Sequence, residues 1–148
     1  MPESRIPGAR VPLVDIKTGV MTTTWFNFFT WFYNEVFMSA VTYVLISAKT
    51  AENAQTTQYT SNGVKTIIDK FTARNYSAGA VTLSINIVPS GGAAGSDNLI
   101  VRYTLAAGET YTFPELIGHN LNTGDFISTL AGAAGSVSIR ASGRQIPT

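Results

Sequence analysis

The residues that could carry out chemistry are few in this sequence and form no recognised catalytic pattern. His119, in ELIGHNLNTGD, is the single histidine, and the chain has no cysteine. A histidine that ligates a metal or acts as a general base needs partners at suitable spacing, and none is evident here. The lack of cysteine excludes disulfides, thiolate metal sites and cysteine nucleophiles. We therefore interpret His119 as a structural or surface residue.

The remaining polar candidates are better explained by local structure. Four carboxylates lie near predicted turns, where acidic side chains commonly bind their own backbone: Asp97, Asp125, Glu109 and Glu115. The glycines of PSGGAAGSDN lack the GxxxxGK[ST] order of a phosphate loop. Four arginines are scattered over predicted strands: Arg74, Arg102, Arg140 and Arg144. The sequence thus predicts no catalytic residue, no cofactor, no metal site and no enzyme activity.

Composition narrows the class of partner. Charged residues make up 13% of the 148 residues, about half of the usual share. The formal net charge of +1 favours neither nucleic acid nor a membrane surface as a partner. The length suits one domain with an appendage. No secretory signal pattern is visible in MPESRIPGARVP, where prolines interrupt the segment.

Residues 24–38, TWFNFFTWFYNEVFM, are unusually rich in aromatic side chains. The chain contains two Trp, six Tyr and eight Phe, and half of them lie in this block. If the block is a helix, its polar residues Thr23, Asn27, Thr30 and Asn34 share one narrow stripe. The apolar remainder is predicted to be an interface: Trp25, Phe26, Phe28, Phe29, Trp31, Phe32, Tyr33, Val36 and Phe37.

Three interpretations of this helix compete. It could be core of its own domain, although the later β region has enough apolar residues for a core. It could span a membrane, because residues 25–48 are long enough, but Asn27, Asn34 and Glu35 would be unfavourable at bilayer depth. It could be buried between protein chains, where aromatic residues are enriched. We favour the third interpretation.

Most of the remaining chain predicts antiparallel strands. In AVTLSINIV, apolar residues occupy every second position from Val81 to Ile87, which indicates a strand with one buried face. The same alternation occurs in residues 99–105 and 136–142, and GVKTIIDKFTARN predicts another long strand. Gly-rich turns separate these runs. Short strands with such turns are typical of an antiparallel sandwich or barrel.

Three regions follow from these patterns. Residues 1–21 contain three prolines and are predicted to be an extended arm. Residues 22–48 form the aromatic helix and a following segment, and the β-branched run SAVTYVLIS predicts that the helix ends near Met38 or Ala40 and passes into a strand. A later end, as far as residue 48, is left open. Residues 55–148 form a mainly β, antiparallel sandwich or jelly-roll-like domain, preceded by the polar connector KTAENAQTTQ.

Several stretches resemble a known class of protein. RVPLVDIKTGVMTTTWFNFF, residues 10–29, is similar to the N-terminal segment of tailed-bacteriophage virion proteins, which carry such an arm and an aromatic helix. The later stretches YTSNGVKTIIDKFTARNYSAGAVTLSINIVPSGG and AAGETYTFPELIGHNLNTGDFISTLAG resemble a β module of small phage and prophage structural proteins. The resemblance covers most of the chain and carries no catalytic or ligand residues.

The resemblance implies a virion structural protein that forms a symmetric homo-oligomer. Its expected partners are other virion proteins, such as the major capsid, portal or tail proteins. We favour a capsid decoration or cement protein. The alternative is a head–tail collar spike or a tail-fibre anchor that binds a host surface, for which loops 89–98 and 106–112 would be the contact candidates.

Overall fold

The computed structural model describes residues 11–15, 17–36 and 41–147. The chain divides into two compact units, Met1–Ser39 and Ala40–Thr148. The first unit contains the helix and the second contains two antiparallel sheets packed together. The predicted fold class, a mainly β antiparallel sandwich with one aromatic helix, is confirmed.

The described part of the predicted arm is a closed hairpin rather than an extended segment. An antiparallel bridge pairs Val14 with Met21. The carboxylate of Asp15 accepts hydrogen bonds from the backbone of Lys17 at 2.8 Å and of Thr18 at 3.2 Å. Gly19 completes the turn with a φ of 70°, which residues with a side chain rarely adopt. The turn signals of Asp15 and Gly19 outweigh the extended tendency of the prolines.

Helix α1 spans Thr23–Val36 and begins directly after the hairpin. The carbonyl of Thr22 accepts the first helical bond, from Phe26 at 3.0 Å. The Thr22 hydroxyl donates to the Pro12 carbonyl at 2.8 Å, so it fastens the hairpin instead of capping the helix. Trp25 makes a second hydrogen bond between the helix and the hairpin, because its indole N–H donates to the Val11 carbonyl at 2.9 Å. The predicted helix ends near Met38 or Ala40 lie outside the described residues.

The described residues of the second unit, 41–147, form nine strands and one short 3-10 helix. The strands are β1 Val41–Thr50, β2 Thr56–Thr60, β3 Val64–Asn75, β4 Val81–Val88, β5 Leu99–Leu105, β6 Thr110–Thr112, β7 Asn120–Leu121, β8 Phe126–Ala131 and β9 Val137–Pro147. The 3-10 turn η1 is Pro114–Leu116. One sheet has the order β1-β9-β3-β6, with β7 also paired to β3, and the other has the order β2-β8-β4-β5.

The two strand orders define a jelly roll. The chain alternates between the sheets from β1 to β4, continues β4 into β5 within one sheet, and returns to the first sheet with β6. The later strands β8 and β9 then insert between strands made earlier, so that β9 pairs with both β1 and β3. Apart from the short strand β7, each sheet contributes four strands to this order, and sheets interleaved in this way are the jelly-roll arrangement.

The expected boundary of the β domain is corrected by strand β1. The run from Val41 to Thr50, which the sequence places in the segment after the helix, forms a strand that pairs with β9 from Val41↔Gln145 to Thr50↔Ser138. The β unit therefore begins near residue 40 and not at residue 55. The predicted connector contributes residues to both β1 and β2, because only residues 51–55 lie between these strands.

The core lies between the two sheets and follows the predicted alternation with one exception. Its largest fully buried side chains include Phe71, Leu83, Ile85, Leu105, Phe113, Leu116, Leu121, Ile127 and Ile139. On β4 the pairing with β5 shifts between Ile85 and Asn86. After this shift Asn86 and Val88 are buried, while Ile87, predicted to be inward, is half-buried. A bulge of this kind re-aims the side chains that follow it.

Candidate interaction surfaces

The aromatic residues of α1 pack along the helix as a ladder. Phe28 lies at its centre, and its ring centroid is 5.7 Å from that of Trp25, 5.4 Å from Phe29 and 6.0 Å from Phe32. Residues three and four positions apart are neighbours on a helix surface, which explains the contacts of Phe28 with Trp25 and Phe32. The contacting rings form one aromatic cluster along the helix.

Much of this aromatic surface is exposed. The side chain of Phe26 is 60% exposed and that of Phe29 is 43% exposed, and Phe32 is also exposed. Trp25, Phe28 and Trp31 are half-buried. The hairpin adds further exposed apolar side chains: Leu13, Val14, Val20 and Met21. More than half of the exposed large apolar residues of the described chain therefore lie in this small unit.

The predicted interface residues are thus located in part. Trp25, Phe26, Phe28, Phe29, Trp31 and Phe32 lie on α1 as expected. Tyr33 and Val36 belong to the same helix, but their side chains, like the whole of Phe37, lie outside the described part of the chain.

A second surface feature, which the sequence did not predict, is a groove on the outward face of the first sheet. The groove has a volume of about 430 Å³ and lies over β3 and β9, with Ala48 of β1 at one side. Its three cationic side chains are Lys70, Arg74 and Arg140, and all three are exposed. The smaller outward side chains between them form the floor, Thr72, Ser138 and Ser142, whereas the lining residues Ile139 and Ala141 have their side chains in the core.

The strand register brings these cations together. Arg140 lies opposite Thr72 in the β3–β9 ladder, while Lys70 is opposite Ser142 and Arg74 opposite Ser138. Diagonal neighbours in such a ladder are about 7–8 Å apart. Lys70 and Arg74 therefore flank Arg140 on either side, although they are distant from it in sequence.

Neighbouring charges on β1 and β9 are already paired. Arg144 donates to Asp69, with Nη2 2.9 Å from Oδ1. Lys49 lies 2.7 Å from the Glu52 carboxylate. This Lys49 hydrogen bond, with a second from Gln58, lowers the pKa of the Glu52 carboxyl below its ordinary value. Among the residues that the structure describes, no carboxylate lines the groove, so the described lining does not neutralise its positive charge.

Two of the predicted turn carboxylates have the structural role expected of them. The Asp125 carboxylate accepts hydrogen bonds from the backbone of Ser90 at 2.9 Å and of Asn122 at 2.8 Å. Glu109 accepts from the backbone of Ala106 at 2.6 Å and from the Tyr103 hydroxyl at 2.9 Å. This last bond is the main cause that raises the pKa of Tyr103 above its ordinary value, and burial adds to it.

His119 and the candidate contact loops are distributed over the sandwich. His119 is half-buried before β7, and its carbonyl accepts a hydrogen bond from Ile68 at 3.0 Å. Loop 89–98 precedes β5, and the predicted loop 106–112 follows it, although its last three residues form strand β6. The two predicted contact loops therefore lie at opposite ends of a seven-residue strand, roughly 20 Å apart.

Two kinds of site do not occur in the described residues. No group of three or more His, Cys, Asp or Glu side chains is placed to hold a metal ion within 11–15, 17–36 and 41–147. Over the same ranges, no helix combines the length and the apolarity that a membrane span requires.

Comparison with known proteins finds similarity to solved structures alone. No protein-family model and no curated protein matches the sequence. A protein of Bacillus endospore appendages, described as disulfide-linked pili, is 17% identical with a TM-score of 0.45, covering 74% of this chain and 89% of that one. A chain of infectious bursal disease virus, strain Gx, is 11% identical with a TM-score of 0.40, and the match covers 74% of this chain and 32% of the viral chain.

Proposed function

We propose that this chain is a structural subunit of a tailed-bacteriophage virion, a capsid decoration or cement protein, that assembles through the aromatic surface of α1. The jelly-roll unit would form the body of the subunit. The hairpin and helix would make the contacts with other copies of the chain and with the major capsid, portal or tail proteins. In this role the protein is not an enzyme.

The exposure of the α1 rings is the observation that carries this proposal. Phe26 and Phe29 expose most or nearly half of their side chains, and the hairpin beside them exposes Val20 and Met21. Apolar patches of this kind mark interaction sites or promote aggregation when they stay in water. Aromatic side chains suit an interface core because they bring a large area with few rotatable bonds to freeze.

A second candidate function is a collar spike or tail-fibre anchor that binds a host surface. The cationic groove of the β unit favours it, because a surface ligand could bind there while α1 docks to the particle. The two candidates differ in stoichiometry. A decoration protein is expected in numbers comparable to the major capsid protein, whereas a collar or fibre protein is expected in far fewer copies, as measured by quantitative gel analysis of intact particles.

The test of assembly is a charge placed within the aromatic surface. Phe29→Asp puts a carboxylate where the ladder would be buried, and an unpaired buried charge is strongly unfavourable. We expect the variant to lose self-association in analytical ultracentrifugation and to be absent from particles. Thr30→Asp is the matched control, because it introduces the same charge at the next, exposed polar position and is expected to assemble normally.

Whether the β unit stays folded in Phe29→Asp distinguishes an interface helix from a helix that belongs to the core of its own domain. If Phe29→Asp unfolds the strands, as judged by circular dichroism, α1 belongs to the core of its own domain and the interface proposal is wrong. If both variants assemble like the wild type, α1 is not the assembly surface.

A further inference from the structure

The groove over β3 and β9 is a cationic site that the assembly role does not use. Lys70, Arg74 and Arg140 surround it, and none of the three makes an ion pair within the described residues. Each is surrounded by short side chains, so that the long cationic groups stand above a depressed floor. The backbone positions of Arg140 and its two diagonal neighbours are about 7–8 Å apart. Like charges on neighbouring side chains repel one another at moderate ionic strength, and a bound anion would relieve that repulsion.

The spacing of the cations indicates a ligand with several anionic groups. Lys70 and Arg74 are four positions apart on β3, which corresponds to about 13 Å along the strand. Arg140 lies between them on β9. A guanidinium can bind a carboxylate, sulfate or phosphate through two parallel hydrogen bonds. A single small anion could contact one or two of these groups, whereas an extended polyanion could contact all three.

The floor of the groove favours sugar over nucleic acid. Its polar residues are Thr72, Ser138 and Ser142. Their hydroxyls can donate hydrogen bonds to the hydroxyls of a sugar ring and accept hydrogen bonds from them. Within the described part of the chain no aromatic side chain lines the groove, whereas single-stranded nucleic acid is typically bound by stacking its bases on aromatic residues. The net charge of +1 is also far from the basic excess of nucleic-acid binding domains.

The position of the groove argues against an acidic peptide held as an added strand. Strand addition requires a free sheet edge. Here β9 is paired on both sides, by β1 and β3, and β3 is paired by β9 and by β6 or β7. A peptide could bind only through its carboxylate side chains, without main-chain hydrogen bonds to the strands.

We propose that the groove formed by Lys70, Arg74 and Arg140 binds an acidic polysaccharide whose carboxylate or sulfate groups contact these three side chains. The site goes beyond the assembly role and is independent of it, because it lies on the β unit and uses none of the α1 residues. It gives the β unit a ligand-binding function.

The experiment measures binding of the full chain to three polysaccharides by isothermal titration calorimetry. Polygalacturonate supplies carboxylates, dextran sulfate supplies sulfates, and neutral dextran is the blank. We expect binding to at least one charged polymer and none to neutral dextran, with affinity that falls as salt rises. The polymer that binds more tightly identifies the anionic group.

Variants then locate the site. Arg140→Gln removes the central cation and is expected to weaken binding about tenfold, as loss of a charge-assisted hydrogen bond does. Lys70→Gln is an independent second variant with the same expected direction. Arg102→Gln is the matched control, because Arg102 is an exposed arginine on β5 of the other sheet, and it is expected to change affinity by less than about twofold.

Several results would overturn the proposal. Equal loss in Arg102→Gln and Arg140→Gln would show non-specific attraction to the whole protein. If polyglutamate binds more tightly than both charged polysaccharides, the groove is a site for acidic peptides. If oligothymidylate binds more tightly than both, the groove is a site for nucleic acid. Absence of binding to both charged polysaccharides would show that the groove is not a site for acidic polysaccharides. None of these outcomes touches the assembly proposal, which the Phe29→Asp variant tests separately.

Discussion

At the scale of single residues, the sandwich depends on buried amides that join separate segments of backbone. Asn75, at the end of β3, is fully buried, and its amide nitrogen donates to the carbonyls of Gly79 at 2.7 Å, Leu105 at 3.1 Å and Ala106 at 3.0 Å. Its side-chain oxygen accepts from the backbone and hydroxyl of Ser77. One side chain therefore holds two turns at one end of the sandwich.

Removal of this amide is expected to be costly. Asn75→Ala leaves buried carbonyls without a donor, so we expect a loss of about 3 kcal/mol in the free energy of unfolding. Urea denaturation followed by circular dichroism measures it. Asn53→Ala, at an exposed position in the β1–β2 connection, is the control and is expected to change stability by less than about 0.5 kcal/mol. Equal effects of the two changes would contradict the role of Asn75.

The Tyr103–Glu109 bond predicts a dependence of stability on alkaline pH. The pKa of Tyr103 is raised in the folded state, chiefly by its hydrogen bond to Glu109. The stabilisation is therefore fully present below the unfolded pKa, about 10, and is lost as pH rises through the folded pKa. Tyr103→Phe, which keeps the stacking on Tyr111, should be less stable than the wild type at neutral pH.

The difference between Tyr103→Phe and the wild type should shrink as pH rises. Thermal unfolding near neutral pH and above the tyrosine range measures this change. Tyr43→Phe, exposed on β1, is the control and is expected to behave like the wild type at both pH values. A difference for Tyr103→Phe that stays constant with pH would show that the bond to Glu109 does not contribute.

At the scale of elements, local patterns were sufficient to predict most strands and the helix. The alternation in residues 99–105 and 136–142 predicted both the strands and their inward faces, because the side-chain period of a strand is two. The aromatic block predicted α1. The hairpin before it was missed although its signals were present, since Asp15 and Gly19 stand four residues apart in VDIKTG.

The features that depend on pairing could not be predicted in this way. The groove requires β3 and β9 to be neighbours, so the sequence alone shows Arg74 and Arg140 as scattered charges. The β-branched run after the helix predicted a strand, but its place in the first sheet could not be predicted, because that depends on its pairing with β9. The shift at Ile85 and Asn86 likewise depends on β5.

Gly143 marks a close approach between strands and gives a prediction at this scale. A Cβ at Gly143 would overlap the Ile67 carbonyl oxygen and would come within 2.8 Å of Leu45 Cδ1. Gly143→Ala should therefore push β9 from β3 and lower the stability by about 1–3 kcal/mol. Gly79→Ala is the control, because a Cβ there meets nothing within 4 Å, and it is expected to be neutral. Thermal unfolding of both variants checks this, and a stable Gly143→Ala would contradict the close approach.

At the scale of the whole molecule, the division into two units predicts that the β unit folds without the helix. All nine strands and the core lie in Ala40–Thr148. We expect a fragment of these residues to unfold cooperatively, with a midpoint within a few degrees of that of the full chain, and to remain monomeric. Calorimetry and ultracentrifugation measure the two properties. A fragment without a cooperative transition would show that the first unit is part of the same core.

The place of β9 between β1 and β3 has a consequence for synthesis on the ribosome. Val41 pairs with Gln145, about a hundred residues later in the chain. The first sheet lacks its central strand β9 until the end of the chain emerges. Pairing between residues so far apart in sequence is slow. The aromatic helix, by contrast, is complete early. For most of its translation, the nascent chain therefore exposes aromatic side chains and unpaired strand edges together. A chaperone would protect the chain best in this interval.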